Sequence, residues 1–89
     1  MSSLDDYRRE IDEIDEMLVK LFEKRMEIVE KVAIYKKENK LPIFNSSREK
    51  EVIKKALEIL KDSRYNVQTE LYIKKIMEIS KHLQFDIMK

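Results

Sequence analysis

The fold of this chain is decided by residues 3–39, which read SLDDYRREIDEIDEMLVKLFEKRMEIVEKVAIYKKEN. Their apolar residues recur at alternating steps of three and four, the spacing of a coiled-coil seam, which predicts one long α-helix. Ser3 is expected to cap its start, Asn39 to take the left-handed conformation at its end, and Pro42 to prevent its continuation. About 35 residues at 1.5 Å each form a rod roughly 50 Å long, so this helix needs a partner along its length. The seam comprises Leu4, Tyr7, Ile11, Ile14, Leu18, Leu21, Ile28, Val32 and Tyr35.

The composition indicates a small, all-helical protein. The 89 residues suffice for one domain, and with no glycine and one proline they offer little material for β-hairpins or tight turns. Charged residues make up 42% of the chain but the net charge is only +1, which gives no electrostatic case for nucleic acid or an anionic membrane. Without cysteine, disulfides and thiolate chemistry are excluded. The sequence has no membrane-span or signal-peptide pattern, so the expected location is cytoplasmic.

The rest of the chain predicts two further helices and a single domain over residues 1–89. Helix 1 is expected over about residues 3–39, helix 2 over about 46–62 and helix 3 over about 67–87, which makes one long, one short and one medium helix. Ser46 and Glu49 have the spacing of a capping box at the start of helix 2. Pro42 fixes the path of the loop between the first two helices.

Several polar residues occupy helix positions that should be buried. Arg25 fills the one gap in the apolar seam, where a guanidinium costs several kcal/mol unless an anion meets it. Taken together, the polar positions predict a cavity with an excess of cations, and hence an anionic ligand, most simply a small di-acid. A structural role is the alternative for each residue, such as an ion pair between Arg25 and a glutamate of a partner helix. The candidates are Arg8, Arg25, Lys36, Arg48, Glu49, Ser80 and Gln84.

The distance between two of these arginines carries a geometric consequence. Arg8 and Arg25 are separated by 17 positions, which is about 25 Å along a straight helix. Two side chains that far apart on one helix cannot both bind the same small molecule. If both serve one site, Arg8 must reach into the site of a neighbouring chain, which predicts a two-fold dimer with two equivalent shared sites.

The order and spacing of these residues resemble the all-helical, class II chorismate mutases. The pattern is Tyr7-Arg8-x-x-Ile11-Asp12-x-Ile14-Asp15-x-x-Leu18-x-x-Leu21, followed by Arg25, Val32, Lys36, Pro42, Arg48-Glu49 and Ser80-x-x-x-Gln84. The resemblance implies an intertwined helical homodimer whose long first helices span both subunits. It also implies the Claisen rearrangement of chorismate to prephenate, on the route to phenylalanine and tyrosine. A pericyclic reaction of this kind needs neither metal nor cofactor, and the resemblance implies none.

The resemblance also implies a role for each candidate residue. Arg8 of one subunit and Arg25 of the other bind the substrate carboxylates, with Arg48 supporting the carboxylate on the ring. Lys36 contacts a carboxylate and the ether oxygen, and Gln84 donates to the same oxygen. Glu49 accepts from the ring hydroxyl, and Ser80 lines that end of the site. Asn45 stands where the family often has aspartate, so it is a further candidate contact that can hydrogen-bond but carries no charge.

Two other functions remain open at the level of sequence. One is an isochorismate pyruvate lyase, an enzyme on a similar scaffold, although Arg48-Glu49 fits the chorismate-binding pattern better. The other is a non-catalytic helical dimerisation or regulatory module. The two enzymes differ in their substrate, whereas the module predicts that replacing Arg25 leaves function untouched or raises stability.

Overall fold

The computed structural model describes residues 3–89, and all regular structure in that range is helical. Helix α1 spans Leu4–Glu38, α2 spans Ser46–Ile59 and α3 spans Asn66–Met88, with a 3₁₀ turn at Ser63–Tyr65 before α3. The predicted class, all-α with one long, one short and one medium helix, is therefore confirmed.

Helix α1 begins as predicted, but the left-handed residue that follows its end is not the one predicted. The Ser3 hydroxyl accepts a hydrogen bond from the Asp6 amide at 3.2 Å, and the Asp6 carboxylate accepts one from the Ser3 amide at 3.0 Å, which together form a capping box. At the other end Lys40, not Asn39, takes the left-handed conformation, with φ of 55°. The Leu41 amide then donates to the Lys36 carbonyl at 2.8 Å, as in a Schellman motif, where the residue after the C-cap turns left-handed.

Helix α2 differs from prediction at both ends. Its N-cap is Asn45, whose side-chain oxygen accepts from the Arg48 amide at 3.1 Å, so the capping box expected from Ser46 and Glu49 was wrong. The helix ends at Ile59, earlier than the expected residue 62, because Leu60 is extended. The Asp62 carboxylate then accepts from the Arg64 amide at 3.0 Å and caps the start of the 3₁₀ turn.

Helix α3 packs against both α1 and α2, and it is the element that holds the chain together. The molecule measures 57 × 24 × 15 Å, with α1 as its long dimension. Within residues 3–89 the buried apolar residues are Val29, Ala33 and Met77, which is very little core. By contrast, all nine seam residues of α1 are exposed. The packing of one chain therefore leaves most of the apolar stripe of α1 uncovered.

None of the helices in the described range is long and apolar enough to cross a membrane.

Candidate active site

A cavity of about 180 Å³ lies where the second half of α1, the start of α2 and the second half of α3 meet. Four cationic side chains and one carboxylate line it, so its wall carries an excess of three positive charges. The structure brings seven of the eight candidate residues to this cavity. Its lining comprises Arg25, Val29, Val32, Lys36, Ile43, Asn45, Arg48, Glu49, Val52, Met77, Ser80, Lys81 and Gln84.

Arg25 is held in the cavity by α3. Its guanidinium donates from Nη1 to the Ser80 hydroxyl, and that hydroxyl donates to the Ile76 carbonyl one turn earlier, at 2.8 Å. Ser80 is only 5% exposed, so a small hydroxyl fits where α1 and α3 come close. Since the hydroxyl both accepts and donates, Ser80 fixes one edge of the guanidinium and leaves its other N–H groups for a ligand.

Lys36 connects three parts of the site. Its ammonium Nζ donates to the Ile43 carbonyl at 2.8 Å and to Gln84 Oε1 at 3.0 Å. The first bond ties the loop between α1 and α2 to the site, and the second ties α3. An ammonium has three N–H donors, so one remains for a ligand.

The contact with Lys36 sets the orientation of the Gln84 amide. A lysine ammonium can only donate, so the amide must turn its oxygen towards Lys36 and its Nε2 amino group away. Gln84 is 7% exposed and lines the cavity, and among the described residues no hydrogen bond uses Nε2. Gln84 and Lys36 therefore present two adjacent N–H donors to whatever occupies the cavity.

Helix α2 contributes three polar residues at its first turn. Glu49 is half-buried, and its Oε2 lies 3.0 Å from Lys81 Nζ. Arg48 is exposed and donates to Glu51 Oε1 at 2.7 Å, so part of its charge is directed away from the cavity. Asn45 lines the cavity while its side-chain oxygen caps α2, which leaves its amide N–H₂ as the group it can offer a ligand.

The two cations on α1 are held at an electrostatic cost. Burial, and then the nearby charge of Arg48, lower the pKa of Arg25 below its ordinary value, although Tyr72 acts in the opposite direction. Burial likewise lowers the pKa of Lys36 below 10.5, and attraction to Glu49 offsets part of that effect. In both cases the surroundings destabilise the charged form, and a bound anion would relieve that cost.

Comparison with known proteins assigns the chain to a family. The profile of the chorismate mutase type II family matches residues 7–85, nearly the whole chain. The chain belongs to the type II chorismate mutase family.

That family consists of isomerases, and the chain also resembles part of a curated protein. The T-protein of Haemophilus influenzae is 45% identical over 49 residues, which is 55% of this chain and 13% of that protein. The chain therefore matches only a small part of the length of that relative. No solved structure matches the chain significantly.

Arg8 is the candidate that the structure does not bring to the cavity. It lies near the start of α1, where its guanidinium is 4.0 Å from the Asp5 carboxylate and its side chain is 66% exposed. The single chain thus presents Arg8 to solvent.

Sequence reasoning missed Lys81, which lines the cavity beside Glu49. The signal was present in the spacing of α3. Met77, Ser80, Lys81 and Gln84 follow the i, i+3, i+4, i+7 pattern of one helix face, so the residue after Ser80 had to face the same cavity. Among residues 3–89 no group of three or more histidine, cysteine, aspartate or glutamate side chains is placed to hold a metal ion.

Proposed function

We propose that residues 1–89 act as a single chorismate mutase domain that rearranges chorismate to prephenate. The observation that carries the proposal is the pair of N–H donors from Lys36 and Gln84 inside a cavity with an excess of three positive charges. Chorismate is a dicarboxylate with an ether oxygen that gains negative charge as its C–O bond breaks. The cavity offers cations for the carboxylates and two donors for that oxygen.

Binding of the carboxylates is the first task of the site. Arg25, fixed by Ser80, takes one carboxylate, and the positive charge of Lys36 attracts the same carboxylate while its remaining N–H is left for the ether oxygen. Arg48 turns from Glu51 to the carboxylate on the ring, which its exposed side chain is free to do. Glu49 accepts from the ring hydroxyl through Oε1, since Oε2 is occupied by Lys81. These contacts hold the flexible enolpyruvyl ether folded over the ring, which is the conformation that reacts.

The chemical step then needs only stabilisation of developing charge. One C–O bond breaks and one C–C bond forms within a single molecule, so no proton, nucleophile or external electron carrier takes part. Lys36 and Gln84 donate to the ether oxygen, and their hydrogen bonds strengthen as charge accumulates there. Because Lys36 already holds the Gln84 amide by its oxygen, the Nε2 donor is oriented before the substrate arrives.

A second copy of the chain completes the site. The exposed seam of α1 is a stripe of nine apolar residues along a 35-residue helix, far more than a stable monomer leaves uncovered. An antiparallel second copy covers this stripe over its whole length and brings its own Arg8 towards Arg25. The separation of about 25 Å between these arginines on one helix supports that arrangement.

The proposal is tested by the loss of chorismate absorbance on addition of the purified protein, with prephenate identified as the product. Turnover of chorismate supports the mutase. Turnover of isochorismate instead would make the protein a pyruvate lyase. A folded protein that consumes neither compound would contradict an enzymatic role for the cavity.

The pH dependence of kcat/KM tests the role of Lys36. The reaction needs the ammonium form, and burial lowers its pKa, so we expect kcat/KM to fall on the alkaline side below pH 10.5. No acid limb is expected from Gln84, because an amide donates at any ordinary pH. The anionic substrate restores the charged form, so the fall in kcat should come at higher pH than the fall in kcat/KM.

The control for this profile is conservative substitution. Lys36→Arg should move the alkaline limb to higher pH, while Lys37→Arg, on the exposed neighbouring residue, should leave the profile unchanged. Stability changes in the opposite direction. The charged Lys36 destabilises the fold at neutral pH, and that cost fades as the pH rises from the lowered pKa of Lys36 to 10.5. If the alkaline limb of Lys36→Arg coincided with that of the wild type, a group other than Lys36 would control the pH dependence of kcat/KM.

A further inference from the structure

The ion pair between Lys81 and Glu49 differs from the other ion pairs of residues 3–89. Its side chains are 29% and 26% exposed, and it is the one pair in which both are less than a third exposed. The others join residues no more than four positions apart, whereas this pair joins α3 to α2. Local exposed pairs contribute little, but a half-buried pair between two helices fixes the geometry of both side chains.

Lys81 is itself held in place by the loop before α2. Its ammonium lies 5.1 Å from the centre of the Phe44 ring, within the range of a cation–π contact. Phe44 adjoins Ile43, whose carbonyl accepts from Lys36. The loop therefore contacts two cations of the cavity, one on α1 and one on α3, and Lys81 cannot move without losing both the ring and the carboxylate.

We infer that Lys81 is a positioning residue that holds Glu49 Oε2, so that Oε1 is directed at the ring hydroxyl of the substrate. The inference rests on the proposed function and adds a residue to it. A carboxylate with two free oxygens among Arg48, Lys36 and Lys81 has several partners to choose from. Occupying one oxygen at 3.0 Å from a fixed ammonium leaves one acceptor in one place.

A double-mutant cycle between Lys81 and Glu49 tests this role. Lys81→Met should lower kcat/KM for chorismate by about tenfold, mainly through KM, because the hydroxyl contact serves bound substrate and transition state alike. Lys81→Arg should restore the activity to within about threefold of the wild type. In the Glu49→Gln background, Lys81→Met should change kcat/KM by less than about twofold, since the carboxylate on which it acts is gone.

The controls separate positioning from other roles. Lys74→Met removes an exposed pair of the same helix, 3.2 Å from Glu70, and should leave both KM and kcat unchanged. Thermal unfolding of each variant confirms that the chains are folded at the assay temperature. A lower melting temperature of Lys81→Met with unchanged KM would overturn the inference in favour of a structural role.

Two further outcomes would also be decisive. An equal loss of activity from Lys81→Met with and without Glu49→Gln would overturn the inference, because Lys81 would then act on the substrate itself. A wild-type protein that is folded but does not turn over chorismate would overturn the proposed function instead. Since the first outcome requires an active wild type, the two failures are distinguishable.

Discussion

Replacement of Arg25 by methionine should lower kcat/KM for chorismate by about 100- to 1,000-fold, the loss expected when a charged donor to a reacting substrate is removed. Methionine retains most of the apolar stem that Arg25 packs into the seam. The stability of the folded protein should stay the same or rise, because burial and the charge of Arg48 already oppose the guanidinium and lower its pKa. Activity and stability are therefore expected to change in opposite directions.

Steady-state kinetics and thermal unfolding of the same preparation check this prediction. Lys24→Met is the matched control, since it removes the neighbouring cation of α1 from an exposed position outside the cavity. It should leave kcat/KM within about twofold of the wild type. Full activity in Arg25→Met would contradict a role for Arg25 in substrate binding and would leave the arginine a structural role only.

Mixing two inactive variants should produce activity. If each site takes Arg25 from one chain and Arg8 from the other, Arg8→Ala and Arg25→Ala are each inactive as homodimers. After unfolding, mixing in equal amounts and refolding, about half of the dimers contain one copy of each. Such a dimer has one site with both arginines and one with neither, so about a quarter of wild-type activity should appear.

The control mixes wild type with the chain that carries both substitutions. Under the shared-site arrangement each mixed dimer has two sites that lack one arginine each, so subunit exchange should lower the activity from about a half to about a quarter of that of pure wild type. Sites built within one chain predict the reverse pattern: no activity from the two single variants, and no loss on exchange in the control. The two experiments together decide whether Arg8 crosses the subunit boundary.

Much of the molecule follows from periodicity and spacing. The three helices are a direct consequence of the apolar pattern and of a composition without glycine. The cavity follows almost as directly, because a charged residue in an apolar seam must have a polar environment, and Arg25, Lys36 and Gln84 do meet in one place. All three residues lie within the range that matches the family to which the protein belongs.

Local competition between side chains was harder to predict. Asn45 and Ser46 are both residue types that cap helices well. The N-cap is the last residue with an extended backbone before the helix, and in the structure that residue is Asn45. The left-handed residue at the end of α1 is Lys40, because the hydrogen bond from Leu41 to Lys36 fixes which residue must turn. Lys81 was overlooked because lysine on a helix is usually exposed, and its partner belongs to another helix.

The meagre core of the single chain has a thermodynamic consequence. Three buried apolar side chains within residues 3–89 cannot offset the conformational entropy lost by the chain, whereas covering the stripe of α1 could. In the proposed dimer, folding and association then form one equilibrium, and the fraction of folded protein depends on its concentration. Dilution would therefore unfold such a protein, as urea does. Melting temperatures could be compared only between samples at equal chain concentration.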